Sequence, residues 1–130
     1  MAQSILRVLL ATHHFLDPDS QGVTLALGNA LQTLGCLVDH VSYDDVFPGT
    51  LESAWHLFRF PWVLAAHLVR RAGAYDVLDI TTGDNWLWAR AGRPGAAPHH
   101  ALVTRSHGLE HTYSARLEDD WNSSQCATCR

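Results

Sequence analysis

The sequence predicts an α/β domain, a three-layer sandwich in which helices cover both faces of a mainly parallel sheet. Short apolar runs rich in Leu, Ile and Val alternate with amphipathic segments along most of the chain, and this alternation is the order of strands and helices in such folds. The first run, 5–12, is apolar enough for a parallel strand that is buried on both faces. A chain of 130 residues suits one such domain.

The first three elements form a strand–helix–strand unit. Apolar residues spaced three and four apart predict a helix over 23–34, and Gly35 is a typical helix terminator. A second strand is expected at 36–43, and the connection suits a right-handed parallel crossover. The remaining expected elements are a strand at 75–80, a short helix at 84–92, a strand at 99–105 and a helix at 109–121.

Residues 50–72 form the longest segment with apolar periodicity. Thr50 is placed to cap it, and Pro61 is expected to kink or split it. The apolar part after Pro61 is shorter than the roughly 20 residues that span a bilayer. Two interpretations stay open: a helix packed on the sheet, or an amphipathic surface that touches a membrane or a lipid-linked substrate. The residues on which both depend are Trp55, Phe58, Phe60, Trp62 and Leu64, with Arg59, Arg70 and Arg71 nearby.

The overall charge and the cysteine content argue against some classes of protein. A formal net charge of −4, in a chain without Lys, argues against a nucleic-acid binder, which would show a basic face. Three cysteines do not make a disulfide framework. The N-terminal residues lack the features of a secretory signal, so we expect a cytoplasmic location.

The last residues differ from the rest of the chain. Cys126 and Cys129 form a Cys-x-x-Cys pair, but a zinc site needs four ligands and no nearby pair has suitable spacing. We therefore expect no metal there. Residues 122–130 lack apolar periodicity, so a disordered tail is expected after a domain that spans 1–121.

Polar residues and glycines follow three of the four predicted strands. In an open parallel α/β sheet, ligands bind beyond the carboxyl ends of the strands, so these residues are expected to line one edge and to form the binding site. They are Thr12, His13, His14, Ser20, Gln21 and Gly22 after the first strand, Thr81, Thr82, Gly83, Asp84 and Asn85 after the third, and Ser106, His107, Gly108 and Glu110 after the fourth.

Gly22 and His107 each allow more than one interpretation. The loop before Gly22 lacks the Gly-x-Gly-x-x-Gly pattern of dinucleotide sites. A single glycine that opens a helix still lets a phosphate approach the N–H groups at the positive end of the helix dipole, or it merely starts the helix. His107 can be a structural histidine, a metal ligand or a catalytic hydrogen-bonding group beside Gly108. Its spacing to His111 does not support a metal ligand, because His107 precedes the predicted helix.

Together these residues resemble the N-terminal half of GT-B-fold glycosyltransferases, most closely the family 4 type. The resemblance covers about residues 5 to 118. Gly22 stands alone where many members have two glycines. The matching segments are "VLLATHHFLDPDSQGVTLALGNALQTLGCLVDHVS" for the first strand, loop and long helix, "YDVLDITTG" for a later strand, and "LVTRSHGLEH" for the strand that ends in His-Gly, often followed by x-Glu.

The resemblance implies one Rossmann-like half of a GT-B fold and retaining transfer of a sugar from a nucleotide-sugar donor to a sugar or lipid-linked acceptor. It implies that this half mainly holds the acceptor, that the catalytic His107 lies near the transferred sugar, and that Gly22 approaches the donor phosphate. It implies no metal, because the family is usually metal-independent, and no cofactor, because the nucleotide-sugar is a substrate. Family members carry a second, donor-binding domain, so we expect a fragment, a truncated gene product or one half of a split enzyme.

Other functions stay open at this stage. The main alternative is a non-catalytic Rossmann-like binding module or partner subunit, which an exposed apolar patch beside an open cleft would favour. A flavodoxin-like cofactor binder is disfavoured, because the first loop lacks a dense Ser/Thr/Gly phosphate cradle. For the glycosyltransferase, contact with the inner face of the membrane is expected to accompany a lipid-linked acceptor.

Overall fold

The sheet has the predicted parallel architecture. The computed structural model describes residues 5–14, 22–51 and 53–106. Within these residues, four strands form one sheet in which every neighbouring pair is parallel. They are β1 (Arg7–Ala11), β2 (Leu37–Val41), β3 (Val77–Thr81) and β4 (Ala101–Arg105), and their order in the sheet is β2-β1-β3-β4. The α/β fold class is thus confirmed.

Several expectations fall on residues outside this description, and they stay predictions. They concern Gln21, His107, Gly108, Glu110, the helix at 109–121 and the tail at 122–130 with Cys126 and Cys129.

Helices cover both faces of the sheet. They are α1 (Gly22–Thr33), α2 (Tyr43–Val46), α3 (Ala54–Arg71) and α4 (Trp86–Arg90), and a short 3-10 helix at Ala72–Ala74 follows α3. Gly35 follows the end of α1 as predicted, and its φ of 87° is the left-handed conformation that glycine adopts readily. The N–H of Cys36 donates to the carbonyl of Leu31 (3.0 Å) and that of Gly35 to Gln32 (2.9 Å), which satisfies the last carbonyls of the helix.

The structure corrects the expected cap of α3 and excludes one of the two expected effects of Pro61. The capping residue is Ser53 rather than Thr50, since the Ser53 hydroxyl accepts the N–H of His56 at 3.2 Å. The Thr50 hydroxyl instead donates to the carbonyl of Phe47 at 2.8 Å. Pro61 does not split the segment: one helix of 18 residues runs through it. The ring of Pro61 is buried, so packing against the core offsets the hydrogen bond that proline cannot donate.

The main core lies between the sheet and α3. Leu9 and Ala11 of β1 point to this face, and Leu78 and Ile80 of β3 lie beside them. From the helical side the core takes Phe60, Leu64 and Leu68 of α3, together with Trp88 of α4. α1 covers the opposite face, where a Cβ added to its Gly28 would come within 3.5 Å of Leu10 and closer still to the ring of His40.

Candidate functional site

The candidate site lies at the carboxyl edge of the sheet, between β1 and β3. From β1 the chain crosses to β2 on one side, and from β3 it crosses to β4 on the other. The direction of winding therefore reverses between β1 and β3, which makes this pair of strand ends the topological switch point where open α/β sheets bind ligands. His13 and His14 follow β1 here, and the predicted residues Gly83, Asp84 and Asn85 follow β3.

Asp84 joins the two strand ends. Gly83 has a φ of 90°, and the N–H of Asp84 donates to the carbonyl of Thr81 at 3.1 Å. Such a tight turn needs a positive φ at its third residue, which explains the glycine. The turn aims the Asp84 carboxylate at His13, whose backbone N–H donates to Asp84 Oδ2 at 3.1 Å. The Asp84 side chain is only 6% exposed.

The same carboxylate orients the imidazole of His13. His13 Nδ1 lies 3.0 Å from Asp84 Oδ1 and 2.9 Å from Oδ2. An ionised carboxylate only accepts hydrogen bonds, so Nδ1 carries a proton and, in the neutral ring, the lone pair lies on Nε2. The His13 side chain is 25% exposed, and its ring lies 4.0 Å from that of His14 and meets Phe60 edge-on at 6.3 Å. An oriented imidazole that solutes can reach is suited to holding a hydroxyl group or moving its proton.

Asn85 has a structural contact of its own. Its Nδ2 donates to Thr104 Oγ1 at 2.8 Å, and the residue is 8% exposed. Asn85 therefore ties the turn after β3 to β4 and precedes the first turn of α4. In the predicted site Asn85 therefore has a supporting role, while the buried carboxylate of Asp84 acts through its contact with His13.

The start of α1 reaches the same edge through a largely buried arginine side chain. Arg105, the last residue of β4, donates from Nη1 to Thr24 Oγ1 at 2.9 Å and from Nε to Asp79 Oδ1 at 3.0 Å. Thr24 lies in the first turn of α1, so this contact brings the start of that helix, at Gly22, near the last residue of β4. Arg105 Nη2 is buried and has no hydrogen-bond partner in the described part of the chain.

Sequence reasoning missed this arginine network. Its signal was present: Asp79 interrupts an apolar run in the middle of β3, and Arg105 ends another apolar run. Opposite charges on neighbouring strands are expected to pair where their side chains are largely buried, because an unpaired buried charge is costly. Their registers place Asp79 and Arg105 on the same face of the sheet, two positions apart across the β3–β4 ladder.

A second polar region lies away from this edge. A cavity of about 340 Å³ between α3 and β2 is lined in part by His40, Asp45, His67 and Arg70. Burial lowers the pKa of His67, and the positive charges of Arg71 and Arg70 lower it further. Burial also lowers the pKa of His40, against a smaller opposing effect of Asp39 and Asp45.

Within residues 5–14, 22–51 and 53–106, no three His, Cys, Asp or Glu side chains are grouped so that they could hold a metal ion. No helix within the same residues is long and apolar enough to cross a membrane.

The fold and the site together define an open parallel α/β domain of the Rossmann-like class, with polar groups at its switch point. No protein-family model matches the chain, and neither a curated protein nor a solved structure matches it.

Proposed function

We propose that the chain is the acceptor-side domain of a retaining GT-B-fold glycosyltransferase of the family 4-like type. In the reaction, the bond between the anomeric carbon of the donor sugar and the phosphate oxygen breaks. The hydroxyl oxygen of the acceptor forms the new bond on the same face of the sugar, and the hydroxyl proton leaves with the nucleoside diphosphate. A second domain binds the nucleotide, and the carboxyl edge described above holds the acceptor.

The observation that carries the proposal is the imidazole of His13, held by the buried carboxylate of Asp84 at the switch point. Sugar hydroxyls both donate and accept hydrogen bonds. With Nδ1–H held by Asp84, Nε2 of the neutral ring is an acceptor to which an acceptor hydroxyl can donate. In this proposal His13 positions the acceptor hydroxyl, and Asp84 positions His13.

The resemblance supplies the remaining roles. His107 lies near the transferred sugar and acts in catalysis, with Gly108 and Glu110 beside it, and Gly22 approaches the donor phosphate together with Gln21. The role of Gly22 gains support from the position of α1, because the N–H groups at a helix start favour an anion. The proposed location is the cytoplasm, at the inner face of the membrane when the acceptor is lipid-linked. Neither a cofactor nor nucleic acid has a part in the proposal.

Binding of sugars to the 130-residue chain tests the proposal. Saturation-transfer NMR is recorded with a panel of methyl hexosides and nucleotide-sugars, on the wild-type chain and on His13→Ala. We expect at least one hexoside to receive saturation. We expect His13→Ala to weaken its binding about fivefold to tenfold, which is the loss of one net hydrogen bond. Nucleotide-sugars should bind only weakly, because their nucleotide contacts lie in the second domain.

The matched control is His99→Ala. His99 also exposes its side chain, at 77%, but it precedes β4 and therefore lies at the amino edge of the sheet. Binding should survive this substitution unchanged. The proposal is wrong if no hexoside binds, or if His99→Ala weakens binding as much as His13→Ala.

A further inference from the structure

α3 carries a second apolar face that the core does not use. Its buried residues Phe60, Leu64 and Leu68 face the sheet. Another set on the same helix repeats at the three- and four-residue spacing of a single helical face, and Trp86 of α4 extends it. We call these residues the aromatic face; with their exposed fractions they are Trp55 (63%), Phe58 (65%), Trp62 (54%), Val69 (46%) and Trp86 (48%).

The aromatic face is continuous across the two helices. The rings of Trp62 and Trp86 meet edge-on at 6.3 Å, and those of Trp55 and Phe58 stack at 6.0 Å. Large aromatic side chains are normally buried on folding. A contiguous exposed set therefore marks a surface that binds a membrane or another molecule. Trp and Phe are also the side chains that enter the headgroup region of bilayers most favourably.

The charged residues of α3 and α4 all have one sign. α3 and α4 contain Arg59, Arg70, Arg71 and Arg90 and no acidic residue, whereas the chain as a whole has a net charge of −4. Arg59 and Arg70 each follow a residue of the aromatic face directly, which places them about 100° around the helix from it. The aromatic face is therefore flanked by cations on an otherwise acidic protein.

Exposed aromatic rings flanked by arginines favour one binding partner for this face over another. Against a second copy of the same face, cations would meet cations with no acidic partner on either helix. Against an anionic bilayer, the rings enter the headgroup region while the arginines meet lipid phosphates. We propose that the aromatic face docks the domain on the surface of an anionic membrane.

The position of the face suits the candidate site. α3 and α4 both begin near the carboxyl edge of the sheet, and Phe60 of α3 meets the ring of His13 at 6.3 Å. Docking would thus hold the candidate site beside the membrane surface, where a lipid-linked acceptor presents its headgroup. This last step rests on the proposed function, but docking itself does not.

Vesicle flotation tests the docking. The 130-residue chain is mixed with vesicles of phosphatidylcholine alone or with one quarter phosphatidylglycerol, and the bound fraction is measured after centrifugation. We expect the chain to bind the anionic vesicles and to bind the neutral ones at least about fivefold more weakly. A single arginine near an anionic surface strengthens binding by about that factor. Phe58→Ser/Trp62→Ser should weaken binding to anionic vesicles at least about tenfold. Arg59→Gln/Arg70→Gln should remove the preference for anionic lipid.

The matched control is Val23→Ser/Leu34→Ser, which removes two exposed apolar side chains (61% and 79%) from α1 and the residue directly after it, on the opposite face of the sheet. It should bind vesicles like the wild type, and circular dichroism should show all variants folded. Docking is wrong if no vesicle binds, if the control loses binding equally, or if sedimentation shows a dimer that Phe58→Ser/Trp62→Ser dissolves. If the wild-type chain binds anionic vesicles but no hexoside, the result counts against the proposed function and leaves the docking proposal standing.

Discussion

Asp84 combines a structural contact with a place in the candidate site. Its carboxylate accepts the backbone N–H of His13 as well as the ring Nδ1–H. The pair is separated by 71 residues along the chain. Both residues follow the carboxyl ends of parallel strands, so the sequence predicts them at one edge of the sheet. Only the turn at Gly83 aims the carboxylate at His13. The shared edge was therefore predictable from the sequence, and the contact between the two side chains was not.

Substitution of Asp84 measures how much its two contacts with His13 contribute to the stability of the fold. Asp84→Ala leaves the part-buried N–H of His13 without its acceptor, so we expect the free energy of unfolding to fall by about 1–3 kcal/mol. Asp84→Asn keeps one acceptor oxygen and should cost less than Asp84→Ala. Urea denaturation measures both values. Equal stability of Asp84→Ala and the wild type would show that the carboxylate does not hold the two strand ends together.

Gly95 offers a stability test at a single residue. Its φ is 82°, and a Cβ placed there would overlap the backbone carbonyl of Val69 in α3. Gly92 has nearly the same φ, 83°, but nothing lies within 4 Å of the added Cβ. Gly92→Ala should therefore cost about 1 kcal/mol for the left-handed conformation alone. Gly95→Ala should cost at least about 1 kcal/mol more, because backbone must move. Similar thermal shifts for the two variants would contradict this contact.

At the scale of elements, α3 shows why a correct helix prediction leaves its orientation open. The segment 50–72 contains two apolar sets at helical spacing, one around Leu64 and one around Trp62. Periodicity alone cannot assign either set to the sheet, because both satisfy the same spacing rule. The structure buries the set around Leu64. The two interpretations of this segment are compatible: one face packs on the sheet, and the other remains exposed.

Paired truncations on α3 test this assignment. Leu64 is fully buried and Val69 is 46% exposed. Leu64→Ala should lower the free energy of unfolding by about 2–5 kcal/mol, because it leaves a cavity in the core. Val69→Ala should change it by no more than about 0.5 kcal/mol, as for other surface substitutions. A reversed order in chemical denaturation would mean that the helix packs through its other face.

For the whole molecule, the order of apolar runs was enough to predict four parallel strands and helices on both faces. The limits of the elements depended on contacts between them. α4 begins at Trp86 rather than at residue 84, because the turn at Gly83 and the bond from Asp84 to Thr81 occupy the preceding residues. The cap of α3 likewise depends on which hydroxyl reaches the free N–H groups, and Ser53 rather than Thr50 does so.

The stability of the whole fold should depend on pH through two histidines. Burial lowers the pKa of His40 and His67 below the usual 6.5. The unfolded chain then binds more protons than the folded one between the lowered pKa and 6.5. The contribution of the two neutral histidines to the free energy of unfolding is thus complete above about pH 6.5. It is lost as the pH falls from 6.5 through their lowered pKa values.

Urea denaturation at pH 7.5, 6.5 and 5.5 measures this loss. His40→Gln and His67→Gln should each flatten the decline, whereas His99→Gln, on an exposed side chain (77%), should leave the slope unchanged. A slope that neither His40→Gln nor His67→Gln alters would show that other groups govern the acid sensitivity.

The proposed function requires that a sugar acceptor binds at the switch point, against the His13–Asp84 pair. Amide chemical-shift mapping tests it most directly, with ¹⁵N-labelled chain titrated by the hexoside that shows saturation transfer. We expect the largest shifts at residues 12–14 and 83–85, and their loss in His13→Ala. If the shift changes instead concentrate around the cavity of His67 and Arg70, and the amide shifts of residues 12–14 and 83–85 stay constant, binding at the His13–Asp84 pair is contradicted.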